Sequence, residues 1–235
     1  MDWQQIYLER FYPQTSWRRD GTRDFFQILK ENCSGKILEI GSGPSNDTSH
    51  YLQSLGELHG IDIDPEVLQN SALKTSAIFN NRFPFAEATF DSCVSNYVCE
   101  HLERPVEHLT EVWRVLKPGG VYIFRTPNRL HYTAIVSRLT PHSFHLKTAN
   151  KLRAIEGHDP YPTRYRLNSR AKIQKMARKI GFEVETLRLV EKEPSYGMSS
   201  RLLFLLFTAY ERVVNSAELF ASFRSSLFVV LRKRS

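Results

Sequence analysis

Cysteine is scarce: three residues, Cys33, Cys93 and Cys99, in a chain of 235. Odd in number and without CxxC or mixed Cys/His spacing, they exclude a disulfide scaffold and a structural zinc site, and they predict a reducing compartment. Long apolar runs are missing too. The longest, Leu202 to Phe207, falls far short of the ~20 residues that span a bilayer. The first residues, Met1-Asp2-Trp3-Gln4-Gln5, lack the basic start and apolar stretch of a signal peptide, so a cytoplasmic protein is expected. There is no internal repeat and no low-complexity tract. Against these absences stand 41% hydrophobic and 24% charged residues. That is the composition of a globular chain able to bury a core without staples.

Charge is unevenly spread. Residues 112–182 hold 15 Lys or Arg and two acidic residues, Glu156 and Asp159, a net +13; the other 17 basic and 23 acidic residues leave the rest at −6. Such asymmetry points to an anionic partner: a phosphate- or carboxylate-bearing substrate, an acidic lipid surface or nucleic acid. A solvated basic face is the plainer reading.

Strand and helix patterns alternate. Trp3, Tyr7 and Phe11 share one face of a short helix that Pro13 ends. A second helix covers Asp24 to Glu31. Strands are expected at Lys36–Ile40, Leu58–Ile63, Ala77–Phe79, Asp91–Tyr97, Val121–Arg125, Phe182–Val190 and Ser226–Leu231. Helices are expected at Ser45–Leu55, Pro65–Lys74, Val106–Leu116, Ser169–Ile180 and Arg201–Val214. Lys117-Pro118-Gly119-Gly120 reads as a tight turn. The alternation implies a parallel α/β sheet. The rhythm breaks over residues 128–168, which hold His131, His142, His145 and His158 and read as an insertion.

The first strand runs into Glu39-Ile40-Gly41-Ser42-Gly43-Pro44-Ser45. Glycines between a buried strand and a helix let a ligand approach the backbone, and the helix start offers free N–H groups. Asp62, about 20 residues on at the end of the second strand, is placed to grip ribose hydroxyls. A nucleoside-containing cofactor is therefore expected. The dinucleotide fingerprint needs a glycine where Asn46 stands, and Pro44 removes a backbone donor, so NAD and FAD are disfavoured.

Five segments in order now resemble one family. They are Ile37-Leu38-Glu39-Ile40-Gly41-Ser42-Gly43; Gly60-Ile61-Asp62-Ile63; Phe83-Pro84-Phe85 with Thr89-Phe90-Asp91; Glu100-His101-Leu102; and Arg114-Val115-Leu116-Lys117-Pro118-Gly119-Gly120. The chain resembles the class I S-adenosylmethionine-dependent methyltransferases, in particular their ubiquinone-biosynthesis-like (type 11) branch. The resemblance implies a Rossmann-like, seven-stranded, mostly parallel sheet with the last strand antiparallel and helices on both faces. It implies S-adenosylmethionine as cofactor. It assigns Glu39 to the methionine amino group and Gly41, Ser42 and Gly43 to the methionine portion. Asp62 goes to the ribose, Ile63 to the adenine, and the backbone of Asn96 to the methionine end. The family's usual Asp-Ala before Leu-Pro-Phe is absent. In the shorter stretch Phe79-Asn80-Asn81-Arg82-Phe83, Asn80 is the candidate for the adenine amine.

The reaction implied is attack by an acceptor oxygen, with nitrogen or carbon as alternatives, on the methyl carbon. The acceptor expected from the basic insertion and the apolar C-terminal segment is small and anionic, or lipid-linked. Candidate general bases are His131 and His101, with His145 and His158 behind them; positioning alone can also supply the rate. Candidate acceptor ligands are Arg125, Asn128, Tyr132, Arg164 and Arg166, with Arg129 beside them, because guanidinium matches carboxylate or phosphate. One methyltransferase domain is expected. It comprises an N-terminal helical lid (1–34), a cofactor core (35–127), an acceptor insertion (128–168) and a C-terminal part (169–235). Leu202–Phe207 reads as a core helix or as a patch that meets a membrane surface. The rival readings are an RNA or tRNA methyltransferase using the basic segment, and a non-catalytic S-adenosylmethionine-binding protein.

Overall fold

The structure of the protein, a computed structural model, describes residues 2–139, 161–194 and 197–234 (of 137–139, the backbone alone). His142, His145 and His158, and with them much of the expected insertion, lie outside the described residues. The chain divides into two units: residues 24–126, 163–188 and 227–235, and residues 1–23, 127–162 and 189–226.

The first unit is built on a seven-stranded sheet. Its strands are β1 (Lys36–Ile40), β2 (Glu57–Asp62), β3 (Thr75–Ile78), β4 (Phe90–Asn96), β5 (Leu116–Pro127), β6 (Phe182–Val190) and β7 (Ser226–Lys233), in the order β3-β2-β1-β4-β5-β7-β6. The sheet is mostly parallel with one antiparallel strand, as expected. β1 is central, and Ile37, Leu38 and Ile40 are fully buried. Such apolar runs are what a strand covered on both faces requires. The covering helices are α2 (Gly21–Asn32), α3 (Asp47–Gln53), α4 (Pro105–Val115) and α6 (Arg170–Ile180). α2 buries Phe25, Ile28 and Leu29, and α4 buries Leu109, Val112 and Val115. Phe25 meets Phe228 of β7 edge-on at 5.8 Å. Gly181, with φ +109°, ends α6.

Two local expectations are corrected. Pro65–Lys74 is not a full helix but a 3-10 turn over Pro65–Gln69. The Asp64 carboxylate caps it by accepting from Glu66 N–H. Asn70 then leaves the helical region and sends its side chain to the glycine loop, so the turn cannot continue. Lys117–Gly120 is not a free turn between elements but an irregularity inside β5. Phe90 pairs with Leu116 and Ser92 with Val121, and Gly119 takes up the slack at φ +76°.

The second unit holds α1 (Trp3–Phe11), α5 (Tyr132–Leu139), α7 (Arg201–Val214) and a 3-10 turn over Glu218–Phe223. Its centre is Phe204 of α7. The rings of Trp3, Tyr7, Phe11 and Tyr12 surround it at 5.7–6.4 Å. The aromatic stripe read as a lid thus packs on α7. α2, the other helix of the expected 1–34 segment, belongs to the sheet unit.

Candidate functional site

β1 ends in a loop whose shape three side chains hold. Gly41 adopts φ +73°, and its N–H donates to Ile61 O at 2.8 Å. A Cβ at Gly41 would lie 2.3 Å from Val98 Cγ2, so close packing as well as φ demands glycine there. Asn46 caps α3: its Oδ1 accepts from Thr48 and Ser49 N–H, and its Nδ2 donates to Ser42 O at 2.8 Å. Buried Asn70 donates to Ser49 Oγ at 3.0 Å and reaches the carbonyls of Gly43 and Pro44 at 3.3 Å.

Asp62 stands at the end of β2. Its Oδ2 accepts from Gly43 N–H at 2.8 Å and its Oδ1 from Asp64 N–H at 3.0 Å. Each oxygen keeps a lone pair for a further donor. Gly43, at φ +51°, is open on its outer side: an added Cβ would meet nothing nearer than Asp62 Oδ2 at 4.0 Å. The Ser42 hydroxyl is buried with no hydrogen-bond partner among the described residues. Glu39 is 2% exposed and accepts from Ser49 Oγ at 2.7 Å. Burial raises its carboxyl to about 7. Ile63 is exposed beyond β2, and Asn80 is exposed beyond β3. At the end of β4, Asn96 Nδ2 donates to Thr48 Oγ1 at 2.9 Å, and its Oδ1 accepts from Arg125 Nε.

These residues suit a nucleoside cofactor bearing a charged amine. An oriented carboxylate awaits hydroxyls, an open glycine and a spare hydroxyl line one loop, and a buried carboxylate accepts from the Ser49 hydroxyl. Sequence reasoning missed Thr48, Ser49 and Asn70. The first two are helix residues whose hydroxyls turn inward, and Asn70 lies where a helix was expected.

Other candidates of the sheet unit are committed to neighbours. Arg125 is buried, with its guanidinium 4.9 Å from the Phe25 ring and 4.7 Å from the Tyr97 ring. Arg164 pairs with Glu103 at 2.8 Å, and Arg166 donates to Glu103 O at 2.6 Å. His101 is half-buried, its Nε2 4.0 Å from Glu100 Oε1. Glu100, buried and raised to about 7 by desolvation, accepts from Thr126 Oγ1, and its backbone carbonyl accepts from Arg164 and Tyr165 N–H.

The remaining candidates lie in the second unit. His131 is 3% exposed, and burial lowers it to about 4. Its Nδ1 meets Thr133 Oγ1 at 2.7 Å, and its Nε2 lies 3.4 Å from Glu191 Oε2. Glu191 is raised to about 8, again by burial. Tyr132 stacks on Phe207 at 5.0 Å. Asn128 Nδ2 donates to Ser222 O and Arg224 O, and its Oδ1 accepts from Leu130 N–H. Its side chain ties two segments of this unit together. Among the described residues there is no group of three or more His, Cys, Asp or Glu that could hold a metal ion.

The methyltransferase domain family matches residues 38–124, from β1 into β5. The chain carries a class I, S-adenosylmethionine-dependent methyltransferase domain. The methyltransferase domain is 28% identical over 132 residues to a protein of Mycolicibacterium smegmatis named a probable S-adenosylmethionine-dependent methyltransferase, covering 53% of this chain and 51% of that one. It is 32% identical over 96 residues to the malonyl-[acyl-carrier protein] O-methyltransferase of Erwinia billingiae, covering 39% and 38%. The chain spans about half the length of the first of these curated relatives and 38% of the second. Among solved structures, the YcgJ protein of a Bacillus shares the fold at TM-score 0.58 and 16% identity, over 91% of this chain and 99% of that one. A Haemonchus contortus phosphoethanolamine N-methyltransferase, solved with phosphomonomethylethanolamine and S-adenosylhomocysteine, does so at TM-score 0.56 and 16% identity, over 98% and 57%.

Proposed function

We propose that this methyltransferase moves a methyl group from S-adenosylmethionine to an oxygen of a small anionic or lipid-linked acceptor. The observation that carries the reading is the joint held by Asp62 and Gly43, with Glu39 buried one strand away. When bound, S-adenosylmethionine supplies an electrophilic methyl group on a sulfonium centre. The chain's own residues bind and orient. Asp62 offers two oxygens, held in place by two backbone N–H groups, to the ribose hydroxyls. Glu39 offers negative charge to the methionine amine. Gly43 and the Ser42 hydroxyl line the methionine portion. Asn96, fixed between Thr48 and Arg125, presents its backbone at the methionine end. Ile63 and Asn80 are the residues at hand for adenine.

An oxygen acceptor carrying negative charge is supported by the name of one relative, an O-methyltransferase of a malonyl group, and by the +13 segment. The Arg164–Glu103 pair is solvent-exposed on both sides, so a substrate carboxylate or phosphate can compete with Glu103 for the guanidinium. Calorimetric titration with S-adenosylmethionine and S-adenosylhomocysteine, with NAD as control, tests the cofactor. Saturable binding of the first two alone is expected. Methyl transfer to a panel of carboxylate, phosphate and lipid-linked acceptors then tests the acceptor class. Turnover on structured RNA, with steep salt dependence and none on the panel, would replace this reading.

A further inference from the structure

The helix α7 is turned the wrong way for a helix that faces water. Its inward face holds Phe204 and Val214 but also Thr208 and Glu211, the latter 1% exposed. Glu211 is held there by Arg18 at 3.0 Å, Arg212 at 2.9 Å and the Tyr12 hydroxyl at 3.2 Å. Its outward face, at positions 202, 205, 206, 209 and 213, is Leu, Leu, Leu, Ala and Val, all exposed. Leu202 is 67% exposed and Leu206 56%. A surface helix ordinarily puts its charges outward.

The neighbouring 3-10 turn adds exposed apolar side chains, and the charge of its first residue, Glu218, is answered by Arg224 at 2.9 Å. The Tyr210 hydroxyl donates to Phe223 O at 2.6 Å, which ties the turn to α7. On that turn Leu219 is 83% exposed and Phe223 49%. The charge of the unit selects among occupants. By sequence it carries 13 Lys or Arg and nine Asp or Glu, a net +4, and two of those acids, Glu191 and Glu211, are buried. Arg201 is exposed at the start of α7, next to Leu202 of the stripe. Two like-charged copies repel, whereas an anionic bilayer attracts both the net positive unit, Arg201 included, and the leucines. α7 has 14 residues, and no described helix is long and apolar enough to cross a membrane.

We propose that the outward face of α7 and the Glu218–Phe223 turn dock this unit in the plane of an anionic lipid surface. The inference stands apart from the methyl-transfer reading. The test is flotation of the full chain with vesicles of phosphatidylcholine alone and of phosphatidylcholine with phosphatidylserine. Binding to the second kind, weakened by salt, is expected. Leu206→Glu should reduce partitioning about ten-fold, since one buried leucine is lost. Leu219→Glu should do the same from the other element, and Arg201→Gln should cost about five-fold on anionic vesicles only. These positions are exposed, so circular dichroism and thermal melting should match the parent chain. Absence of vesicle binding would overturn the proposal, as would equal binding by parent and variants. So would a parent that sediments as a dimer, becomes a monomer in Leu206→Glu and ignores vesicles, which would make the face a contact between copies. S-adenosylmethionine titration in solution reports separately on the cofactor reading.

Discussion

The Asp62 carboxylate receives the Gly43 amide at 2.8 Å, so the end of β2 and the loop after β1 are joined before any ligand arrives. The same carboxylate takes Asp64 N–H on its other oxygen. Its orientation is therefore set by the backbone, which lowers the ordering cost of binding.

Asp62→Ala removes both bonds and the offered ribose contacts. S-adenosylmethionine affinity should fall by about 1–3 kcal/mol, read by calorimetry. Unaltered affinity would remove Asp62 from the cofactor site.

Two glycines separate packing from binding. Both have left-handed φ, for which an L-residue loses roughly 1–2 kcal/mol. Gly41→Ala also drives a Cβ to 2.3 Å from Val98, whereas a Cβ at Gly43 meets nothing nearer than Asp62 Oδ2 at 4.0 Å. Urea unfolding should show the larger loss of stability for Gly41→Ala. Cofactor affinity should suffer in Gly43→Ala beyond its stability change. Equal unfolding midpoints would contradict the Val98 packing.

Glu39 predicts a pH effect. Its folded carboxyl sits at about 7, above the ordinary 4.5, because burial disfavours the ion. Between those values the folded state holds a proton that the unfolded state has lost. This group therefore makes stability fall as pH rises through that window, with no further change above it. Glu39→Gln should flatten that part of the stability profile. A cationic amine beside Glu39 favours the ion, so S-adenosylmethionine affinity should rise with pH up to about 7 and then level off. Titrations across pH check both; a parallel profile in the glutamine variant would refute the role given to Glu39.

Asn128 holds the 222–225 segment through its amide nitrogen and Leu130 through its oxygen. Asn128→Ala should destabilise the chain by about 1–3 kcal/mol, because the Ser222 and Arg224 carbonyls and the Leu130 N–H lose a partner that is itself buried. Denaturant unfolding measures it. Undiminished stability with impaired turnover would return Asn128 to the acceptor site suggested by sequence.

Local chemistry made much of this legible. Phe182–Val190 and Arg201–Val214 were bounded to the residue, since periodicity and the stop at Gly181 are properties of neighbouring residues. The Gly41–Gly43 loop and Asp62 were readable because strand, glycine and acid recur at fixed separations. Less legible were Pro65–Lys74 and Lys117–Gly120, where a distant partner outweighed local preference: the glycine loop for Asn70, the opposite strand β4 for Gly119.

By itself, then, the sequence determined the alternation of strands and helices, the loop for a nucleoside cofactor and the basic excess. Tertiary structure decided which groups meet. Ser49 reaches Glu39 ten residues away, Glu191 faces His131 across sixty, and Tyr12 reaches Glu211 across 199. It also decided that the leucines of α7 face outward while Glu211 faces in. Periodicity marks an apolar stripe, but only the path of the rest of the chain settles which stripe is covered.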